Sequence, residues 1–412
     1  MRALVIGSGG REHALVWKLR QEGFEVFCAP GNGGISLDAT CHEAKSVDEL
    51  LQLALRERID LTVVGPEAYL AQGVVDAFES CGLKIFGPSK RASQLECSKV
   101  YAKLLMDECG IPTARFRLFD DPVQAERYVE RCEFPIVIKA DGLAQGKGSY
   151  VVMSREEAFN VIDLLMRKKV FGESGERIVI EEFLKGREVS LMVLTDGKTC
   201  VPMLSAMDYK KVYDEDRGPN TGGMGAIAPA PHHSEELWRS VKERIIDKLF
   251  PALEKQNVIY KGVLYLGLMV TQDGPKVLEF NCRFGDPEIQ ALLPLLQSKL
   301  AEVCFAVIEE NLASLPIVWR EEKSVCVVIA SGGYPNDYKV GFEIHGLESV
   351  EGVVVFHAGT KRQNGQFVTS GGRVLNVCAT GRTYEEARRR VYSEIEKIYF
   401  EGMYFRRDIG LV

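Results

Sequence analysis

Apolar positions over the first hundred residues fall into short continuous blocks separated by stretches of helical periodicity. Residues 2–6, 24–28, 61–64 and 84–86 read as strands. Residues 11–22, an amphipathic run stopped by Gly23, and residues 72–80 read as helices. Strand alternating with helix predicts a doubly wound parallel sheet, an α/β unit whose ligands sit at the carboxyl ends of the strands. Those ends carry Gly7-Ser8-Gly9-Gly10, Pro30-Gly31-Asn32 and Gly65-Pro66-Glu67, all small or polar. Residues 89–109 read as one long helix ended by Gly110. A compact α+β module follows, with strands at 115–118, 136–140, 150–153 and 177–183 and helices at 123–132 and 155–168. Farther on, Asp273-Gly274 is a hairpin signal joining apolar segments 262–271 and 276–280. The stretch 218–225 is too glycine-rich to be regular structure. Beyond Pro316 a strand-rich α+β unit runs from 324 to the terminus and ends in a helix over 384–399. Three units are expected: 1–102, 103–312 with a flap subdomain at about 115–186, and 313–412.

Composition narrows the function. A chain of 412 residues is too long for one core, and a net charge of −7 argues against an electrostatically driven nucleic-acid binder. The eleven cysteines are scattered, odd in number and without a Cys-x-x-Cys pair, which fits reduced thiols. No His-Glu-x-x-His occurs among the six histidines, and His232-His233 lies in a Pro-rich loop. No apolar stretch is long enough to span a bilayer, and the first residues run straight into a strand. The expectation is a soluble cytoplasmic protein that is neither a nucleic-acid binder nor a membrane protein.

A dinucleotide fingerprint at the first turn fails twice. Its third glycine would fall at Glu12, and Cys28-Ala29-Pro30 stand where a ribose-binding acid is needed. A glycine turn opening a helix still offers N–H groups to a phosphate or carboxylate, and it is also a plain structural turn.

Four features converge on a nucleoside triphosphate. Lys139 ends a buried strand, where an ammonium needs an anion or an escape to solvent. Asp141-Gly142-Leu143-Ala144-Gln145-Gly146-Lys147-Gly148 is a glycine loop between strands, so it is not a Walker loop. It suits a phosphate flap as well as an unliganded hairpin. The apolar strand Ile178-Val179-Ile180 turns acidic at Glu181-Glu182 before Phe183-Leu184, a junction able to frame adenine, with Glu188 beyond it for ribose. On the second hairpin strand, alternation puts Glu279, Asn281 and Arg283 on one face and Leu278 and Phe280 on the other. A carboxylate and an amide oxygen suit a hard cation, and the guanidinium suits the phosphate beside it.

In this order the features resemble the ATP-grasp superfamily, in which two α+β subdomains close on ATP. Five runs carry the likeness to one family within it, the phosphoribosylamine–glycine ligases (glycinamide ribonucleotide synthetases): Val5 to Ala14, Val64-Gly65-Pro66-Glu67, Ile138 to Ala144, Gly218 to Ala226, and Glu279-Phe280-Asn281-Cys282-Arg283-Phe284-Gly285-Asp286-Pro287-Glu288. Phe356 to Thr360 and Gly371 to Leu375 extend it to the last unit. The resemblance implies an ATP-dependent ligase of purine biosynthesis that joins glycine to 5-phosphoribosylamine through glycyl phosphate, with Mg2+ or Mn2+. It implies that Lys103 and Lys139 grip ATP phosphates, Gly142 and Lys147 cover them, and Glu181, Glu182, Phe183, Leu184 and Glu188 hold the nucleoside. Glu279 and Asn281 would be metal ligands, and Arg283 would stabilise the transferring phosphoryl. Asp208 with Asn220, Thr221, Gly222, Gly223 and Met224 would shape the acceptor side; Gly9, Gly10 and Glu67 would seat the phosphoribosylamine. Ser149, Tyr209-Lys210-Lys211 and Ile227-Ala228-Pro229 depart from the family pattern without removing a ligand. A sister ATP-grasp enzyme, a decayed nucleotide sensor and a dehydrogenase are the rival readings.

Overall fold

The computed structural model describes residues 1–144, 147–231 and 233–412. Gln145 and Gly146 of the expected flap loop, and His232, lie outside the described residues. The first sheet comprises β1 (Arg2–Gly7), β2 (Glu25–Pro30), β3 (Thr40–Cys41), β4 (Leu61–Val64) and β5 (Ile85–Phe86), all parallel in the order β3-β2-β1-β4-β5. Ala3 and Val5 face one core while Leu4 and Ile6 face another, so both faces are covered, as the near-continuous apolar strand requires. The helix Gly10–Gln21 is not simply amphipathic: every residue from Gly10 to Val16 is buried, because C-terminal elements pack on the side that would face solvent in an isolated unit.

The expected helix over 89–109 is broken. Ser98 leaves helical geometry (φ −135°, ψ 109°) between helices Gln94–Cys97 and Lys99–Glu108. Its hydroxyl caps the second helix, accepting from the Tyr101 N–H at 3.1 Å, while donating to Asp141 at 2.8 Å. A side-chain cap plus a distant carboxylate outweighs continuation of the helix.

The flap sheet pairs β6 (Phe116–Phe119), β7 (Ile136–Ala140), β8 (Ser149–Val152) and β9 (Ile178–Glu182) antiparallel in the order β6-β9-β7-β8, over its own core around Ile138, Ile162 and Ile180. Next come β10 (Arg187–Thr195), β11 (Cys200–Pro202), β12 (Met207–Asp208), β13 (Lys211–Tyr213), β14 (Arg217–Asn220), β15 (Gly225–Ala228), β16 (Gly262–Thr271) and β17 (Gly274–Asn281). A second antiparallel sheet runs β11-β10-β16-β17. The stretch 218–225 contains regular structure after all: β14 pairs with β13, and β15 begins at Gly225, because hydrogen-bonding partners on both sides outweigh the glycine content.

The last unit adds β18 (Lys323–Ser331), β19 (Val354–His357), β20 (Thr360–Gln363), β21 (Gln366–Thr369), β22 (Arg373–Gly381) and β23 (Met403–Tyr404), with helix Tyr384–Ile395. Its sheet, β12-β15-β18-β22-β19 with β23 on β18, borrows two strands from the middle of the chain. Among the described residues no helix is long and apolar enough to cross a membrane.

Candidate active site

The hairpin at Asp273-Gly274 forms as expected, but strict alternation along β17 fails at one point. Gly267 pairs with Glu279 and Leu268 with Val277, leaving Leu278 as a bulge. The carbonyl freed there accepts from Lys139 Nζ at 2.9 Å. From Glu279 onward alternation resumes, with Phe280 and Cys282 buried opposite Glu279, Asn281 and Arg283.

Lys103 and Lys139 converge from different elements on one carboxylate. Lys103 Nζ stands 3.1 Å from Glu181 Oε1 and Lys139 Nζ 3.0 Å from Oε2, with all three residues buried. Lys103 also donates to Thr113 Oγ1 at 2.6 Å, which donates to the Val277 carbonyl at 2.6 Å. The flap sheet is thereby stitched to β17, and two ammoniums against one carboxylate leave a net positive charge for an anion. Burial lowers the Lys103 pKa to about 8, against the pull of Glu181. The resemblance gives Lys103 to an ATP phosphate, which would need the charged form; on that reading KM for ATP is expected to be flat below about pH 8 and to climb above it. Lys103→Arg, which keeps its charge, should flatten that rise in initial-rate measurements.

The carboxylate of Glu181, expected beside adenine, faces the lysines instead. Glu182 is held by Arg115, through Nε at 2.7 Å and the backbone N–H at 2.9 Å. Phe183 is 39% exposed at the end of this strand while Leu184 is buried. Glu188 pairs with Lys210. Lys210 also belongs to the field around Glu279: burial alone would raise that carboxyl's pKa, but Lys210, Lys139, Lys99 and Arg283 together hold it below the usual range. Asn281 Oδ1 accepts from Arg283 Nη2 at 3.2 Å.

Arg283 lies between two carboxylates, with Nε 3.1 Å from Glu67 and Nη2 3.0 Å from Glu96. Burial works against the charge on Glu67, yet Arg283 and Arg11 keep its pKa low. Burial wins at Glu96, raising it to about 7.

Behind the 220–223 loop, expected to shape the acceptor side, Asp208 Oδ1 is buried with no hydrogen-bond partner among the described residues. Burial first, and Glu288 second, push the Asp208 pKa well above the ordinary carboxyl range. Glu288 is itself buried and accepts from Tyr265 Oη at 2.8 Å. Gly223 has φ +107°, and a Cβ there would lie 2.4 Å from Pro287 Cδ and 2.7 Å from Asp208 Oδ1, so only glycine closes this loop. Thr221 Oγ1 accepts from the Gly223 N–H at 2.9 Å, and the Gly222 N–H donates to Tyr334 Oη at 2.9 Å. Asn220 is exposed, whereas the Met224 side chain turns into a small core with Val212 and Ala330 and does not line the cleft. Arg373, from β22, donates to the carbonyls of Gly222 (2.5 Å) and Asp286 (2.9 Å).

At the first turn, Glu12 supplies its own anion. Its carboxylate accepts from the Gly9 N–H at 2.5 Å and from Arg11 Nε at 2.5 Å, and lies where Gly7 and Gly65 leave room for it. Gly10 packs against Asn376 and Gln290. The Gly9 N–H that a bound phosphate would use is thus already taken by Glu12.

Three family models cover most of the chain: phosphoribosylglycinamide synthetase N domain over residues 1–96, ATP-grasp (A) domain over 97–289 and C domain over 324–412. A phosphoribosylamine–glycine ligase of Caldanaerobacter subterraneus is 51% identical across all of this chain and 99% of that protein. The chain belongs to the phosphoribosylglycinamide synthetase family. It is an ATP-grasp ligase of purine biosynthesis. The phosphoribosylamine–glycine ligase of Escherichia coli K12 is 47% identical over all of this chain and 98% of that protein. The solved phosphoribosylamine–glycine ligase of Thermotoga maritima is 37% identical with a TM-score of 0.87, covering 99% of this chain and 100% of that one. A Campylobacter jejuni biotin carboxylase, solved as a β-γ-ATP complex, shares the fold alone, with a TM-score of 0.73 at 14% identity over 97% and 92% of the two chains.

In this phosphoribosylglycinamide synthetase family member the flap loop is anchored at its base. Asp141 accepts from the Val100 N–H at 2.8 Å and pairs with Arg177 at 2.6 Å, and Gly142 lies against Ser174, where a Cβ would come within 2.4 Å of Oγ. Lys147 reaches the carbonyl of Pro335 at 3.1 Å. Sequence reasoning missed Lys99, Lys210 and Glu96 as parts of the site, and named Asp286, Glu288 and Arg373 only inside motifs. Lys210 lies in the run Tyr209-Lys210-Lys211, where it keeps the lysine of the family pattern. Glu96 carries no signal in the chain, because a glutamate on a helix reads as a solvated face.

Proposed function

We propose that the cleft between the flap sheet and β17 holds ATP and that the ligation of glycine to 5-phosphoribosylamine runs through glycyl phosphate. A glycine carboxylate oxygen bonds to the γ-phosphorus as the bond to the β-bridging oxygen breaks, releasing ADP. The ribosylamine nitrogen then bonds to the acyl carbon, phosphate leaves with the former carboxylate oxygen, and the amine loses a proton. A bare carboxylate would have to expel oxide; phosphorylation supplies a leaving group. The protein contributes position and charge.

The observation that carries this reading is the meeting of Lys103, Lys139 and the β17 face, which puts excess positive charge beside an ionised carboxylate. The units at 1–102, 103–312 and 313–412 each supply part of it: Glu67, the lysines with β17, and Arg373. Lys103 and Lys139 grip phosphates, with Gly142 and Lys147 covering them from the flap. The 181–184 strand end frames adenine mainly through backbone, and Glu188 serves ribose. Asp208 and Glu288, two carboxylates behind the 220–223 loop, suit the ammonium of glycine, since the orphaned Asp208 oxygen needs a donor. Phosphoribosylamine enters near Glu67; an anion reaching Gly9 has to displace Glu12.

The donor set fits a divalent ion. Glu279 and Asn281 offer hard oxygens, and the cationic field keeps Glu279 ionised. Among the described residues no group of three or more His, Cys, Asp or Glu forms a self-sufficient metal site, so triphosphate oxygens would complete the coordination. Mg2+ or Mn2+ held there would neutralise phosphate charge. Glu279→Gln is expected to raise the Mg2+ concentration needed for half-maximal rate by about tenfold or more; an unchanged titration rejects the ligand.

The enzyme is read as cytoplasmic and monomeric, with a dimer compatible. The direct test is ADP release: it should require glycine and phosphoribosylamine together for sustained turnover. Release driven by bicarbonate or formate instead would favour a sister ATP-grasp reaction.

A further inference from the structure

Arg283 is gripped unequally by its two carboxylates. Glu67, just past the end of β4, meets Nε at 3.1 Å, and its side chain is 19% exposed. Glu96, on the helix Gln94–Cys97, is more deeply buried, and its two oxygens do separate jobs. Oε2 accepts from the Cys282 backbone N–H at 2.6 Å, and Oε1 stands 3.0 Å from Arg283 Nη2. One carboxylate thus holds the backbone at the end of β17 and the side chain of the next residue. With Glu67 on Nε and Glu96 on Nη2, neighbouring edges of the guanidinium plane are fixed. Nη1 is left with a longer contact of 3.4 Å to the Phe284 carbonyl.

We propose that Glu96 is a positioning residue for the ligation: by bridging the Cys282 N–H and Arg283 Nη2, it sets the guanidinium plane so that Nη1 faces the transferring phosphoryl group. This rests on the reading of Arg283 given above. A carboxylate that merely holds the fold together would act on stability and leave the chemical step alone. A positioning carboxylate acts on the chemical step through Arg283.

The test is a double-mutant cycle. Glu96→Gln keeps the volume and an acceptor for the Cys282 N–H but removes the charge that holds Nη2. Its kcat is expected to fall about 10–100-fold, the usual effect of an outer partner, with KM for ATP and glycine within about twofold and a melting temperature close to the parent's. In the Arg283→Ala background the same substitution should change kcat by less than about twofold. Parent-like kcat in Glu96→Gln, or equal losses in both backgrounds, would overturn the proposal. If Arg283→Ala alone kept the parent's turnover, the reading of Arg283 would fail instead, and the two failures are distinct. Should Glu96→Gln not fold, Glu96→Asp gives the same cycle: it keeps the charge but cannot span both partners, so kcat should drop in the parent and stay level without Arg283.

Discussion

Arg283→Ala is expected to bind ATP within about threefold of the parent chain and to turn over at least about a hundredfold more slowly. The holds proposed for the nucleotide are elsewhere, in Lys103, Lys139 and the flap, so on that proposal ground-state binding has little to lose. Charge spread over the phosphoryl oxygens in the transition state, and again on the acyl phosphate, is what a fixed guanidinium meets. A preorganised donor of this kind contributes roughly 3 kcal/mol. The substitution also leaves Glu67 and Glu96 facing each other without their shared cation, so one of them takes up a proton. Equilibrium binding of an ATP analogue beside single-turnover rates separates the effects. Equal losses in both would place Arg283 in uniform binding.

Asp208→Asn is the second large effect: KM for glycine should rise about 10–100-fold while KM for ATP stays put, the loss of a charge-assisted hydrogen bond of about 1.5–3 kcal/mol. The sign of its proton linkage is also defined. Burial and the nearby Glu288 raise the empty Asp208 carboxyl, so it holds a proton more readily than a free aspartate. An ammonium beside it stabilises the anion, so glycine binding should release a proton. Calorimetry in buffers of different ionisation enthalpy measures that release in the parent, and the amide of the Asp208→Asn variant has no such proton to give. An unchanged glycine KM would move the ammonium seat elsewhere.

Legibility of the site followed the range of the interactions. Glu279, Asn281 and Arg283 could be read because strand alternation is local, and the hairpin dipeptide announced their strand. The bulge at Leu278 could not, since it depends on Gly267 across the sheet and on Lys139 from the flap. The parallel sheet of residues 1–86 was plain from its apolar blocks. The break at Ser98 was not, because Asp141, forty-three positions away, helps to make it. Glu12 could be recognised as the wrong residue for a dinucleotide turn, but not as the group that fills it. The acceptor side was legible as a glycine-rich loop, though its pairing as β14 and β15 and its latch by Arg373 come from the far end of the chain.

Whether this cleft activates glycine by phosphorylating its carboxylate is tested most directly with glycine labelled with 18O in both carboxylate oxygens. The released phosphate should carry one 18O per turnover and the amide product should keep the other. Phosphate free of label, formed together with the amide, would contradict the account.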